Sequence, residues 1–136
     1  MSDIRNGRQV VHFLSAYLVF ITRYRRNALG QEALAIIEAS CRKVCADFNT
    51  TLDEFNGEDD HVHLLVSYPP KVALSRLVNS LKGVSSRRVR AAQLPIDQVR
   101  LWGSSLWSPS YYAGSAGGAG SDGVRTFIEN QRTPVN

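Results

Sequence analysis

The stretch "HVHLLVSY", residues 61–68, constrains the fold of this chain more than any other. It is short, apolar and rich in valine, with the acidic run "GEDD" before it and Pro69-Pro70 behind it. The run reads as a strand that Pro69-Pro70 ends, because proline cannot continue a ladder. Side chains at i and i+2 of a strand share a face. His61 and His63 therefore project together, and Val62 and Leu64 point the other way.

The rest of the chain has to supply partners for that strand. Residues 10–22, "VVHFLSAYLVFIT", alternate weakly and are β-prone. "RYRRNALG" is a basic turn, and residues 31–48 carry an apolar stripe of Leu34, Ile37, Cys41, Val44 and Phe48 at helical spacing. "TTLDEFNG" is expected to be a strand that ends in a turn at Asn56-Gly57. Residues from about 72 to 92 repeat Leu74, Leu77, Val78 and Leu81 at helical spacing among basic residues. "LWGSSLWSPSYYAGS" is aromatic and β-prone, and Gly103 and Pro109 are expected to break it. Strand, helix, strand, strand, helix, strand predicts an α+β sandwich on an antiparallel sheet.

After a core of about residues 8–112, residues 113–123, "AGSAGGAGSDG", read as a flexible tether. Beyond it, Ser121 or Asp122 can cap a last helix over about 122–131, "VRTFIENQ" with its cap, before Pro134. The whole is read as one domain, since 136 residues can bury a real core.

The formal charge of +4 favours an anionic partner such as nucleic acid. The longest apolar run is too short to span a bilayer and residues 1–9 are polar, so a cytoplasmic protein is expected. Cys41 and Cys45, one helical turn apart, make a poor disulfide; they read as core residues, or as half of a Cys2His2 zinc site with His61 and His63.

Two imidazoles held on one strand face, about 6–7 Å apart at Cα, can grip a single metal ion. The same pair also fits two structural histidines, although an unpaired imidazole is costly in so apolar a strand. On the last helix Gln131 lies one turn beyond Phe127 and could offer a metal its carbonyl oxygen. Equally, Val124, Phe127 and Ile128 could pack and leave Gln131 in water.

Taken in order, "AYLVFITRYRR", "EFNGEDDHVHLLVSYPPK", "LKGVSSRRVR", "LWGSSLWSPSYYAGSAGGAG" and "VRTFIENQ" resemble the single-tyrosine HUH transposases of the small insertion sequences of the 200/605 group. The name denotes His, hydrophobic, His, here His61-Val62-His63, and the likeness covers nearly the whole chain. It implies a ferredoxin-like or RRM-like sheet with its helices on one face, working as a homodimer on single-stranded DNA with hairpins at the element's ends. It further implies a divalent metal, Mg²⁺ or Mn²⁺, held by His61, His63 and Gln131, and strand cutting and rejoining through a 5′-phosphotyrosine. The tyrosine helix would act in its own or the partner's site.

The chain departs from that pattern at the nucleophile. Where the family carries tyrosine in a motif like "YIENQ", this sequence has Phe127 in "FIENQ". Phenylalanine has no oxygen to attack a phosphodiester. The expectation is a chain that binds DNA and metal without forming the covalent intermediate, whether by engineering or by natural decay. Tyr111 and Tyr112 are expected to be structural rather than substitute nucleophiles. The expected DNA contacts are Arg23, Arg25 and Arg26 in the basic turn and Lys82, Arg87, Arg88 and Arg90 on the second helix, with Trp102, Trp107 and Tyr112 stacking on unpaired bases. A non-catalytic single-strand or hairpin-binding regulator is the alternative function.

Overall fold

A computed structural model of the chain describes residues 13–23, 29–94 and 106–115. Within them lie β1 (Leu14–Thr22), α1 (Gln31–Asp47), β2 (Thr51–Gly57), β3 (His61–Tyr68), α2 (Leu74–Ala91) and β4 (Trp107–Ser115). The expected order of elements is the observed one. The strands form an antiparallel sheet in the order β2-β3-β1-β4. A β-α-β-β-α-β chain with its first and third strands central is the ferredoxin-like arrangement.

Period-2 alternation decides which face of the sheet is covered. Leu18 and Phe20 of β1 join Val62, Leu64 and Val66 of β3 in one buried cluster, closed by Ile37, Cys41 and Val44 of α1 and Leu77, Val78 and Leu81 of α2. The two helices also touch each other. Each lays its apolar stripe on the same sheet face, as a helix with apolar residues every three or four positions must. Helix α1 stops where Asn49 turns left-handed at φ 55°; Asn49 donates to the Ala46 carbonyl and Thr50 to that of Cys45, which closes the helix end.

Three boundaries differ from the sequence reading. Asn56 and Gly57 do not turn; they pair with His63 and Val62, and the connection is made one step later, where the Glu58 N–H donates to the His61 carbonyl. Gly57 serves packing instead, since a Cβ there would overlap the Leu34 side chain of α1. Pro109 does not break β4. It sits on an edge strand inside an irregularity, between the pairings Thr22 with Trp107 and Phe20 with Tyr111, where no ladder donor is required. The glycine-rich connection does not begin at residue 113, because Ala113, Gly114 and Ser115 pair with β1. The remainder of that connection and the last helix, with Phe127 and Gln131, lie outside the described residues.

Candidate functional site

His61 and His63 stand on the face of the sheet away from α1 and α2. Their ladder partners on β1 are Ile21 and Val19, which are buried there with Tyr17 and Tyr112 packed against them. Across the strands, His63 is opposite Val19 and Val19 is opposite Tyr112, so an apolar floor separates the imidazole from the phenol. The Tyr17 ring lies against the His63 ring, with 5.1 Å between centroids.

The two imidazoles are held differently. His61 Nδ1 is 2.9 Å from an oxygen of Asp60, whose side chain is only 10% exposed. A carboxylate accepts, so His61 Nδ1 is the donor of this contact. His63 Nε2 is buried with no hydrogen-bond partner. Burial also lowers the His63 pKa, Glu54 raising it and His61 lowering it further. A ring kept neutral, with a buried nitrogen that bonds to nothing, is suited to a cation. The pair therefore fits a divalent metal. Two ligands do not complete a shell, and no cluster of three or more His, Cys, Asp or Glu occurs among the described residues. Gln131, the expected third ligand, lies outside them.

The zinc alternative fails on placement. Cys41 and Cys45 are in the core beneath α1, with the sheet between them and the histidines. Burial first of all raises both thiols, Cys45 up to about 11 and Cys41 higher still. Neither is disposed to be a thiolate ligand.

The expected DNA contacts separate into groups. Arg87, Arg88 and Arg90 are exposed on α2, on the helix side of the sheet and so away from the histidines. Arg23, half-buried at the end of β1, donates its backbone N–H to the Leu106 carbonyl. Tyr112 is half-buried on the same face as the histidines. Arg25, Arg26 and Trp102 fall outside the described residues.

Two of the expected contacts need correction. Trp107 is a core residue, 2% exposed, with its ring edge-on to Phe20 and its indole N–H donated to Ser85 Oγ at 3.0 Å. It has no face to offer a base. The Lys82 amine is likewise committed, donating to the Ser108 carbonyl at 2.7 Å and the Pro109 carbonyl at 3.3 Å and lying over the Phe20 and Tyr111 rings. Burial lowers its pKa. Sequence reasoning missed Asp60 and Tyr17 as neighbours of the histidines. "DDHVH" carried a signal for Asp60, a carboxylate directly before the pair; Tyr17 carried none beyond strand alternation.

The family description "Transposase IS200 like" matches residues 10–131. The chain belongs to this transposase family. It is 31% identical over 129 residues to the ISDra2 transposase TnpA of Deinococcus radiodurans, an alignment covering 95% of this chain and 91% of that one. A crystal structure from Deinococcus radiodurans, provisionally assigned as a transposase, superposes with a TM-score of 0.81 at 30% identity, covering 92% of this chain and 95% of its own. A REP-associated tyrosine transposase bound to a REP hairpin shares the fold, with a TM-score of 0.59 at 15% identity over 90% of this chain and 66% of that one. Family membership makes this a DNA transposase by descent, and no helix among the described residues is long and apolar enough to cross a membrane.

Proposed function

We propose that this chain binds single-stranded DNA with hairpins at the ends of an insertion sequence, as a homodimer, and holds Mg²⁺ or Mn²⁺ through His61, His63 and Gln131. We further propose that Phe127 leaves it unable to cut. The observation that carries the reading is the histidine pair itself. Both rings stand on the sheet face opposite α1 and α2, with His63 Nε2 buried and unpartnered. When bound, the cation polarises the scissile phosphate and orients it.

The chain's own residues do the rest. Strand β3 fixes the spacing of the imidazoles, and the Val19–Ile21 floor beneath them keeps the site rigid and partly dry. In family members with tyrosine at the position of Phe127, the phenolic oxygen attacks phosphorus and the bond to the 3′ oxygen breaks. The products are a 5′-phosphotyrosine and a free 3′-hydroxyl. Phe127 retains the ring and lacks that oxygen, so the attack has no donor of electrons. Arg23, Arg25, Arg26, Arg87, Arg88 and Arg90 supply the phosphate contacts of this proposal, and Tyr112 and Trp102 the stacking surfaces.

The test is a denaturing gel of the chain as it stands beside Phe127→Tyr. Each is mixed with labelled single-stranded DNA from the element's ends and Mn²⁺ or Mg²⁺. A covalent protein–DNA band with Phe127→Tyr alone is the expected result. A band from the unaltered chain overturns the assignment of Phe127. Binding without a band from either protein favours a DNA-binding regulator instead.

A further inference from the structure

We propose that Asp60 is a positioning residue: it locks His61 in the tautomer that carries its proton on Nδ1, so that Nε2 is the lone pair offered to the cation. The inference rests on the assignment of His61 and His63 as ligands, and it adds a residue outside that set. Three observations carry it.

The first is the contact. Asp60 Oδ1 and His61 Nδ1 are 2.9 Å apart, and the side chains are 10% and 15% exposed. A hydrogen bond so shielded from water is not freely exchanged for one to solvent. The second is the anchoring of Asp60 itself. Its backbone carbonyl accepts from the Thr22 N–H at 2.9 Å and the Thr22 hydroxyl at 3.2 Å. On either side, the Leu29 N–H donates to the Asp59 carbonyl and the Glu58 N–H to the His61 carbonyl. The turn is thus tied to the end of β1, to the start of α1 and to β3, and the carboxylate has a fixed place. The third is the contrast with His63, whose ring is held by burial and by Tyr17 rather than by an acceptor.

The chemistry follows from the two nitrogens of imidazole. A neutral histidine in water prefers its proton on Nε2, which would leave the lone pair on Nδ1, facing the turn. An acceptor at Nδ1 reverses that preference and makes Nε2 the more basic donor, as carboxylate partners of metal-bound histidines do. Asp60 would do this before any cation arrives, so the arrangement is visible in the metal-free protein.

The experiment uses the full chain with ¹⁵N-labelled histidine and Mn²⁺ as the probe. Long-range ¹H–¹⁵N spectra without metal, above neutral pH, are expected to show His61 protonated on Nδ1. In Asp60→Ala the His61 proton should move to Nε2, and Mn²⁺ affinity by EPR titration should fall by about 10–100-fold. Asp60→Asn keeps an acceptor oxygen and should retain more of the affinity than Asp60→Ala. A wild-type His61 with its proton on Nε2 overturns the inference, as does an Asp60→Ala protein that binds Mn²⁺ as tightly as wild type. Should Asp60→Ala fail to fold, the wild-type spectrum and Asp60→Asn decide. His61→Ala separates the two levels: if it leaves Mn²⁺ binding unchanged, the ligand assignment has failed and the role of Asp60 falls with it. If it abolishes binding while Asp60→Ala does not, only the positioning role is lost.

Discussion

The two faces of the sheet are built from the same strands by opposite rules. On the covered face, Leu18, Phe20, Val62, Leu64 and Val66 meet the apolar stripes of both helices. On the opposite face, the buried pair Val19 and Ile21 is ringed by Tyr17, Tyr112, His61 and His63. Because a strand changes face at every residue, the fold is stabilised on one side by side chains that alternate with those offering chemistry on the other. Neighbours in sequence therefore do unrelated work, and substitutions at adjacent positions should separate stability from binding.

The pair Leu64 and His63 gives the largest contrast. Leu64 is fully buried between sheet and helices, and Leu64→Ala should cost about 2–5 kcal/mol in urea denaturation. His63→Ala, one residue away, should cost about 1 kcal/mol or less and remove Mn²⁺ binding. Equal losses of stability at the two positions would break the comparison.

Lys82 tests whether a basic residue on the covered side serves the fold or the DNA. Its amine is bonded to carbonyls at the β4 irregularity. Lys82→Met should lower stability by roughly 1.5–3 kcal/mol, toward the smaller figure because the amine is not wholly buried. The salt dependence of single-strand binding should not change. A phosphate contact would instead flatten the log–log salt slope by about 0.7 on single-stranded DNA. That flattening is expected of Arg87→Ala, not of Lys82→Met.

Gly57 probes the seam where β2 approaches α1. Gly57→Ala places a methyl group against the flexible end of Leu34, so the loss should be about 1 kcal/mol, at the low end for overpacking. Introduced into Leu34→Ala, the same change should cost measurably less. Additive losses in that double-mutant cycle would deny the contact.

The covered face was the more legible of the two. Its stripes at Leu34, Ile37, Cys41 and Val44 and at Leu74, Leu77, Val78 and Leu81 fix helices of the observed extent, and alternation in β3 places the histidines opposite the core. What misled was residue type read without its neighbours. Asn56-Gly57 has turn chemistry, yet the glycine answers to Leu34 across the fold. Pro109 is a strand breaker only where its missing donor is needed, and an edge irregularity does not need it. Lys82 and Trp107 looked available to DNA because composition cannot reveal that Ser85, Ser108 and Pro109 converge on them. The long-range partner decided each case, and no local pattern encodes it.

The smallest expected effect lies in the histidine face's own titration. Burial lowers the His63 pKa below its ordinary value, against a partial opposing pull from Glu54. In the window between that lowered value and the unfolded value of about 6.5, the unfolded chain binds more protons than the folded one. Stability should therefore fall as pH drops through about 6.5 and below, and be fully present above it. With a chelator present, melting temperatures measured from pH 7.5 downward should show this decline, and His63→Gln should flatten it. Leu64→Val should lower the whole curve without altering its slope, since the covered face contributes no titrating group there. Mn²⁺ should then raise the melting temperature more at neutral than at acid pH, because it binds only the unprotonated ring. If His63→Gln leaves the slope unchanged, the pH sensitivity belongs elsewhere, and the histidine face is distinguished by its ligands alone.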